Sequence, residues 1–347
     1  MKYQLDQDYT YSCFRQLIDT HSTTGYYVEM NPVFKAMAAD IGYDMTFDNK
    51  GTAYITVDGE DNSKTVQVIA HLDTVGFMVR AIDEDGKLRV RASGGINYQT
   101  IDGSFVTVIT RSGKKYTGIL YCQYHSVHVF KEKARETLRS EENVMIVLDE
   151  PVNSRADVLA LGIDKGDYVD LDPRCTFTPN GYIKSRFVDD KACVASVMTA
   201  LKYLKDNGLK PVNRTIFSFP YGEEIGLGGN YIPPEVSEII GMDIGLIGPG
   251  YDGSEHKVSI CIRDLTVPYD YELTNRLVRL AKEGDIPYAF DMFYSYGSDA
   301  GKALACGANA KVAVFGMGTY GTHGMERTHI DGVNCTTALL LAYLLEK

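Results

Sequence analysis

Apolar positions along this chain follow two different periods. Residues 52–59 and 65–73 alternate between apolar and polar positions and then become continuously apolar, which predicts two strands. Residues 192–210 place apolar side chains three and four positions apart and end in lysine and glycine, which predicts a helix. Both periods recur further along the chain. We predict helices over 9–41 (with a break near Gly25), 271–286 and 333–347, and strands over 214–221, 239–248 and 311–318.

This order of elements predicts the fold class. Strands that alternate with helices along a chain usually form one sheet with helices on both faces. The sequence pattern changes between residues 76 and 173, where short apolar runs are separated by glycine turns. Within this segment, residues 131–143 are predicted to be either helical or disordered. We therefore predict an α/β domain formed by residues 1–75 and 174–347, interrupted by a β-rich insertion at 76–173.

Composition narrows the function classes. The 347 residues suit about two domains. A net charge of −11, spread without a basic block, argues against a nucleic-acid partner. The longest apolar runs fall short of the roughly 18 residues that a membrane span needs. The N-terminus lacks the apolar core of a signal peptide, so we expect no membrane association.

The cysteines predict the compartment. There are seven of them, an odd number without paired spacing, so they do not suggest a disulfide framework or a cysteine zinc site. Free thiols persist in a reducing environment, so we expect a soluble cytoplasmic protein. Cys193 lies inside a helical pattern and is expected to be a core residue and not a nucleophile.

Side chains that bind metals occur at four element ends. They are His71 with Asp73 after a strand, Asp189 with Asp190 before a helix, Glu223 with Glu224 after a strand, and His323, Glu326 and His329 after another strand. In open α/β sheets, ligands bind outside the carboxyl ends of the strands, so these groups could converge. Imidazole and carboxylate together suit zinc, cobalt or manganese.

Each of these groups also has an ordinary explanation. A histidine two residues before an aspartate is usually a satisfied pair, and two aspartates before a helix often serve as its N-cap. Adjacent glutamates usually form a solvated charge pair. All four groups at element ends of one α/β pattern are much harder to explain in this way. The sequence therefore predicts a metal site.

Longer motifs surround these residues and carry a family resemblance. They are "AHLDTVGFMV" (70–79), "SRFVDDKACVAS" (185–196), "GEEIGLGG" (222–229), "GSDAGKALACG" (297–307) and the late loop that contains His323. In this combination the chain resembles the co-catalytic metallopeptidases that include glutamyl aminopeptidase and the tetrahedral aminopeptidases. The resemblance covers nearly the whole length, including the β-rich insertion.

The resemblance implies a fold and an assembly. The fold is a mixed-sheet, three-layer aminopeptidase domain of the phosphorylase/hydrolase-like type, with an inserted β-barrel that is similar to a PDZ domain. The insertion supports oligomerisation in this family. We therefore expect a homo-oligomer, from a dimer up to a dodecamer, with peptides as substrates.

The resemblance also implies metal ligands. His71 matches a ligand of the first metal, and Asp189 matches the ligand that bridges both metals. Glu224 and His323 match ligands of the second metal. The expected cofactors are divalent ions, zinc or cobalt, with up to two per subunit.

Two further residues match catalytic roles in the family. Asp73 matches the carboxylate that orients the metal-binding histidine. Glu223 matches the general base that deprotonates a metal-activated water. The implied reaction is hydrolysis of N-terminal residues from peptides.

One expected ligand is missing from the sequence alignment. Aligning residues 242–243 with the Pro-Asp pair of the family places Pro249 where an aspartate ligand is expected. Proline has no side chain that binds a metal, so we predict that Asp252 replaces the aspartate. The first metal site is then expected to be looser than the second, and a single-metal or catalytically impaired oligomeric homologue remains an alternative.

Other zinc-dependent hydrolases of the same fold are the nearest alternatives. A carboxypeptidase, a dipeptidase or a deacylase also uses a His-x-Asp strand end and a glutamate pair. The "GFMV" run at 76–79 and the β-rich insertion favour the aminopeptidase. A glycan hydrolase needs a carboxylate pair about 5–10 Å apart, but that function leaves the histidines unexplained. A phosphate-binding G-x-x-x-x-G-K-[ST] motif is absent.

Overall fold

The computed structural model describes residues 2–347, which form a mixed sheet flanked by helices and a closed β-barrel. The helices are α1 (Gln7–Ile18), α2 (Met30–Asp40), α3 (Val127–Phe130), α4 (Glu132–Glu136), α5 (Arg155–Leu161), α6 (Val188–Asp206), α7 (Tyr271–Glu283), α8 (Asp299–Ala305) and α9 (Ile330–Leu344). The strands are β1 (Thr46–Phe47), β2 (Ala53–Val57), β3 (Asp61–Ile69), β4 (Gly76–Ile82), β5 (Leu88–Ser93), β6 (Ser104–Ile109), β7 (Lys115–Cys122), β8 (Val144–Leu148), β9 (Tyr168–Leu171), β10 (Thr176–Phe177), β11 (Tyr182–Ser185), β12 (Asn213–Phe219), β13 (Val236–Met242), β14 (Gly245–Leu246), β15 (Val258–Arg263), β16 (Tyr288–Met292), β17 (Lys311–Thr319) and β18 (Glu326–His329).

The large sheet has the order β1-β2-β12-β3-β13-β17-β15-β16, and β14 pairs with β17 beside this path. Its four central strands, β12, β3, β13 and β17, run parallel to one another. Strands β2 and β15 join them in antiparallel orientation. The predicted mixed α/β class is therefore confirmed, and the carboxyl ends of the four central strands lie along one edge.

Alternation in the central strands creates two apolar faces. In β17, Ala313 and Phe315 belong to one core cluster, whereas Val312 and Val314 belong to another. Side chains in a strand point to opposite faces in turn, so both faces need a cover. The apolar residues of α1, α6, α7 and α9 join the first cluster, and α8 joins the second. This three-layer arrangement matches the predicted helices on both faces.

Helix starts are fixed by local side chains. The carboxylate of Asp6 accepts a hydrogen bond from the backbone N–H of Tyr9 before α1, and Asp270 accepts one from Leu273 before α7. Helix α6 differs, because Asp189 and Asp190 near its start have non-helical backbone angles. The apolar periodicity of α6 buries almost its whole length against α1, α9 and the sheet.

The β-rich segment forms a closed barrel of the six strands β4-β5-β8-β7-β6-β9, which pair in antiparallel orientation. These strands lie within 76–171, inside the segment that the sequence analysis assigned to an insertion. Closing the sheet removes its exposed edges. The segment 131–143 contains the short helix α4 and a 3₁₀ turn at Glu141–Asn143.

Strands β15 and β16 of the large sheet are among those that the sequence pattern did not predict. These strands pair with each other, and β15 pairs with β17. Their apolar runs are short and have polar neighbours, so their strand character depends on pairing partners from distant parts of the chain. In the described residues, 2–347, we find no helix that is long and apolar enough to cross a membrane.

Candidate metal centre

The four central strands deliver ligand-type side chains to one edge of the sheet. His71 follows β3, Glu223 and Glu224 follow β12, Asp243 follows β13 directly, and His323 follows β17. Because these strands are parallel neighbours, their carboxyl ends meet at the same edge. Asp189, at the start of α6, completes the group.

The carboxylate of Asp189 lies between two imidazole rings. Its Oδ1 is 3.2 Å from Nε2 of His71, and its Oδ2 is 3.6 Å from Nε2 of His323. The second ring also approaches Oε2 of Glu224 at 3.2 Å. Ligand atoms of His71, Asp189 and Glu224 all lie within 4.8 Å of one another. The structure thus brings together four of the five residues that were predicted as ligands.

The fifth predicted ligand, Asp252, lies elsewhere. Its side chain is exposed, and its backbone N–H donates a hydrogen bond to Asp291. In its place, Asp243 forms a group with Asp189 and Asp190, and their ligand atoms lie within 4.8 Å of one another. Asp243, and not Asp252, is therefore the carboxylate that lies beside Asp189.

The strand predicted over 239–248 extends further than the observed strand β13. The alignment placed the relevant strand end near Pro249, but β13 already ends at Met242. Asp243 follows the buried run Ile239–Met242 immediately, so the signal is an acidic residue directly after a buried strand. It was overlooked because residues 243–248 remain largely apolar and appeared to continue the strand.

The chemistry of this group suits divalent cations. Asp190, Glu223, Glu224, Asp243 and Glu326 are at most partly exposed, and burial is the main cause that raises the pKa of each carboxyl above its ordinary value. One carboxylate oxygen of Asp190 is buried and lacks a hydrogen-bond partner within residues 2–347. Buried negative charge is costly unless a cation or hydrogen bonds compensate for it. Two histidines and several carboxylates are also the ligand types that zinc and related metals prefer.

Asp73 contacts two parts of the group, the glutamate pair and His71. Its buried carboxylate accepts hydrogen bonds from the backbone N–H groups of Glu223 at 3.1 Å and Glu224 at 3.3 Å, and from the hydroxyl of Thr24 at 2.9 Å. Nδ1 of His71 lies 3.0 Å from the backbone carbonyl of Asp73 and 3.5 Å from its Oδ1. One aspartate therefore contacts the residues that follow both β3 and β12. The sequence predicted only its contact with His71.

Glu326, which the sequence suggested only as a ligand-type residue, orients other residues of the group in the structure. Its buried carboxylate accepts hydrogen bonds from the backbone N–H groups of Asp189 and His323, each at 3.0 Å. His323 has a φ of 59°, and its Nδ1 lies 2.5 Å from the carbonyl of Gly95 next to the barrel. A carboxylate three residues after the loop histidine was the available signal.

Arg186 ties the same loop to the barrel. Its buried guanidinium donates hydrogen bonds to the carbonyls of Gly324 and Thr100 and to the hydroxyl of Ser104. The arginine of the "SRFVDD" motif therefore connects the His323 loop with the barrel, two elements that are far apart in the sequence.

The group borders a cavity of about 600 Å³. Asp189, Glu223, Glu224, Asp243 and His323 line one side of it. The segment 295–302, which contains the start of α8, lines another part. These five residues are therefore accessible to a small substrate from this cavity, whereas His71 is buried behind them.

The parallel strand ends and the His/Asp/Glu cluster together define an α/β protein with a candidate metal site at the edge of its sheet. Residues 51–339 match the model of the M42 glutamyl aminopeptidase family, and the chain belongs to this family. The predicted family is thus confirmed, and the chain is related to enzymes that hydrolyse peptide bonds.

Individual relatives agree with this assignment. The chain is 38% identical over 336 residues to YhfE of Bacillus subtilis (strain 168), which is described provisionally as an aminopeptidase, and the match covers 96% of this chain and 97% of that protein. Its fold is similar to a crystal structure of a TET aminopeptidase from the marine sediment archaeon Thaumarchaeota archaeon SCGC AB-539-E09 (TM-score 0.88, 20% identity, covering 98% and 97% of the chains). It is also similar to the TET1 peptidase of Pyrococcus horikoshii, described as assembling into a tetrahedron or a large octahedral shell (TM-score 0.85, 20% identity, covering 97% and 100%).

Proposed function

We propose that this protein is a metal-dependent aminopeptidase that removes N-terminal residues from peptides, with Glu223 as the general base. The observation that carries this proposal is the divergence of two adjacent glutamates. Oε2 of Glu223 lies 3.8 Å from Nε2 of His71, whereas Oε2 of Glu224 lies 3.2 Å from Nε2 of His323. One glutamate is thus available for proton transfer while its neighbour serves as a ligand.

We propose two ligand sets that share Asp189. The first consists of His71, Asp189 and Asp243, and the second consists of Asp189, Glu224 and His323. Each set offers three protein ligands, the number typical of a catalytic zinc site. With Asp243 included, neither site lacks a ligand, so we no longer expect the first site to be loose. Ions in such a pair of sites would polarise a peptide carbonyl and lower the pKa of water.

Glu223 then moves the proton. Burial raises the pKa of its carboxyl group, and a base whose pKa lies closer to neutrality can both accept and return a proton efficiently. Its side chain is 15% exposed and borders the cavity, so it reaches the substrate side of the site. It takes a proton from the attacking water and delivers it to the leaving amine.

The acidic side of the cavity supports an exopeptidase. Glu223 lines the cavity and belongs to neither proposed ligand set, so its carboxylate remains available to attract a positively charged group. A free amino terminus has this charge, whereas an internal peptide segment lacks it. The site would therefore select peptides by their amino terminus.

The direct test is hydrolysis of matched peptides. Protein stripped with a chelator and reloaded with zinc, cobalt or manganese should cleave a peptide with a free amino terminus. It should leave the N-acetylated form of the same peptide intact. Equal cleavage of both forms, or full activity of the stripped protein, would contradict the proposal.

We further propose that residues 76–173 form an oligomerisation domain and that residues 1–75 and 174–347 form the catalytic domain. Phe105 and Ile119 are cross-strand neighbours on the barrel, and Ile119 is also opposite Val147. Phe105 is 54% exposed and Val147 is 37% exposed, so the three form a partly exposed apolar row. An apolar row of this kind suits contact with a second copy of the chain. The shells described for the TET1 peptidase support this proposal.

A further inference from the structure

His329 belongs to a second group of ligand-type side chains, apart from the candidate metal centre. The sequence analysis grouped it with His323, but in the structure it ends β18 and caps the start of α9. His256, from the loop between β14 and β15, and Asp331, in the first turn of α9, lie next to it. Ligand atoms of these three residues lie within 4.8 Å of one another. Among residues 2–347, none of the three lines the cavity beside Asp189.

The carboxylate of Asp331 lies close to both imidazole rings of this group. Its Oδ2 is 2.9 Å from Nδ1 of His256 and 3.2 Å from Nδ1 of His329. Ligand atoms bound at about 2.0 Å in a tetrahedral zinc site lie about 3.3 Å from one another. Both observed separations are close to this value, so small movements of the side chains suffice to place the three atoms around one ion.

The ring of His329 is held in the orientation that a metal ligand needs. Its Nε2 lies 2.6 Å from the backbone carbonyl of Asn180. Because a carbonyl oxygen only accepts hydrogen bonds, Nε2 carries the proton and Nδ1 carries the lone pair. Histidines that bind metals almost always donate their other ring N–H in this way. A Cβ atom at Gly181 would lie 2.6 Å from Nε2, so the glycine permits this close approach of the ring.

The loop that carries His256 is fixed against α9 by its neighbours. The buried carboxylate of Glu255 accepts two hydrogen bonds from the guanidinium of Arg327 on β18, at 2.7 and 2.8 Å. A Cβ atom at Gly332 would lie 2.4 Å from the carbonyl oxygen of Glu255, so the glycine lets this loop approach the helix. The ring centroids of His256 and His329 are 4.3 Å apart. The position of His256 is therefore set before any ion binds.

One hydrogen bond competes with metal binding at this group. Nδ1 of His329 accepts it from the backbone N–H of Asp331 at 3.0 Å. This N–H lies at a helix start, where it has no partner within the helix, and the Asp331 side chain is 54% exposed. Water can therefore replace the ring as its acceptor at little cost. The same exposure leaves room for water as a further ligand of the ion, as in open zinc sites.

We propose that His256, His329 and Asp331 form a peripheral site for a divalent transition-metal ion, with zinc as the expected occupant. Two imidazole nitrogens and one carboxylate oxygen are a ligand set that suits zinc. The ion joins the loop before β15 to the start of α9 and thereby stabilises the folded chain. This inference does not rest on the proposed peptidase function, because the two sites share no residue.

Zinc content measured against free zinc concentration tests the proposal. In the micromolar range, wild-type protein should hold about one zinc ion more per chain than His256→Gln. His128 is exposed and pairs with no carboxylate among the described residues, so His128→Gln is the matched control and should behave like the wild type. Asp331→Asn keeps the size of the side chain and the N–H at the helix start, and it should also weaken zinc binding. Equal zinc content of wild type and His256→Gln across this range would overturn the proposal.

Chemical modification locates the ion. Diethyl pyrocarbonate reacts with free imidazole nitrogens, and mass spectrometry identifies each modified histidine. Zinc should protect His256 from modification in the wild type and leave His128 reactive, and Asp331→Asn should reduce the protection. Modification of His256 at the same rate with and without zinc would contradict the assignment, whatever the total zinc content.

The possible results separate this inference from the proposed function. A zinc ion that depends on His256 in a protein without peptidase activity would contradict the proposed function and leave the peripheral site intact. Peptide hydrolysis by a protein in which zinc neither depends on His256 nor protects it would do the reverse.

Discussion

The carboxylate of Glu326 accepts a hydrogen bond from the backbone N–H of Asp189 at 3.0 Å. Its other oxygen accepts one from His323 at the same distance, so a single buried side chain aligns two of the proposed ligands. Loss of a group that orients metal ligands in this way typically lowers metal affinity or activity about 10- to 100-fold.

We therefore expect Glu326→Gln to weaken metal binding about 10- to 100-fold, because the neutral amide is a poorer acceptor for two backbone N–H groups. Competition with a chromophoric chelator measures the affinity. Glu142 is 75% exposed and pairs only with Arg80 at 3.6 Å among the described residues, so Glu142→Gln is the matched control. Equal affinities of the two variants would contradict this role of Glu326.

Replacing the proposed base should lower the rate of hydrolysis without changing metal binding. Glu223→Gln should lower kcat about 10²- to 10⁴-fold, because a positioned acid–base group is lost. Metal content should stay at the wild-type level, since Glu223 belongs to neither proposed ligand set. Steady-state kinetics and elemental analysis of the same preparation check both statements. Turnover near the wild-type rate would rule out Glu223 as the base.

A pair of aspartate variants distinguishes Asp243, which lies beside Asp189 in the structure, from Asp252, the ligand predicted by alignment. Asp243→Ala should remove metal from the first site and abolish most activity, because only His71 and Asp189 remain there. Asp252→Ala should leave metal content and activity unchanged, since its side chain is exposed and outside the group. Metal titration of both proteins provides the measurement. The reverse pattern would restore the alignment-based assignment.

The metal-free protein should lose stability as pH rises. Burial raises the pKa of the carboxyl groups of Glu223, Glu224 and Asp243, and it raises the pKa of Asp299 to about 7. Between the ordinary carboxyl range near 4 and these raised values, the folded state binds more protons than the unfolded state. The free energy of unfolding therefore decreases with rising pH across this range.

The bound metal should offset this loss. The difference in Tm between metal-loaded and chelator-treated protein should accordingly grow from pH 5 to pH 8, as measured by thermal denaturation. If this difference in Tm stays constant or decreases as pH rises, the carboxyl cluster is not the source of the metal-dependent stability.

Assembly should depend on the apolar row of the barrel. Phe105→Asp introduces a charge into this row, so we expect a smaller particle by light scattering while the monomer remains folded by circular dichroism. Leu209 is 41% exposed and lies outside the barrel, so Leu209→Asp tests for nonspecific effects of an added charge. An unchanged mass for Phe105→Asp would exclude this row as the contact.

The sequence by itself determined the family, the fold class and the identity of most proposed ligands. The reason is that these signals are local. A buried apolar run that ends in His71, or one that leads to Glu223 and Glu224, identifies a strand and its functional end within about ten residues. The catalytic and ligand roles of these residues remain predictions that the variants above can test.

Only the tertiary structure decided where β13 ends and which aspartate lies beside Asp189 in the candidate metal centre. Strand limits depend on hydrogen bonds to β3 and β17, which come from distant parts of the chain. In the sequence, Asp243 and Asp252 are both acidic residues near an apolar run, but pairing buries Asp243 beside Asp189 and leaves Asp252 exposed. The position of Glu326 between Asp189 and His323 is also non-local, because 137 residues separate Glu326 from Asp189.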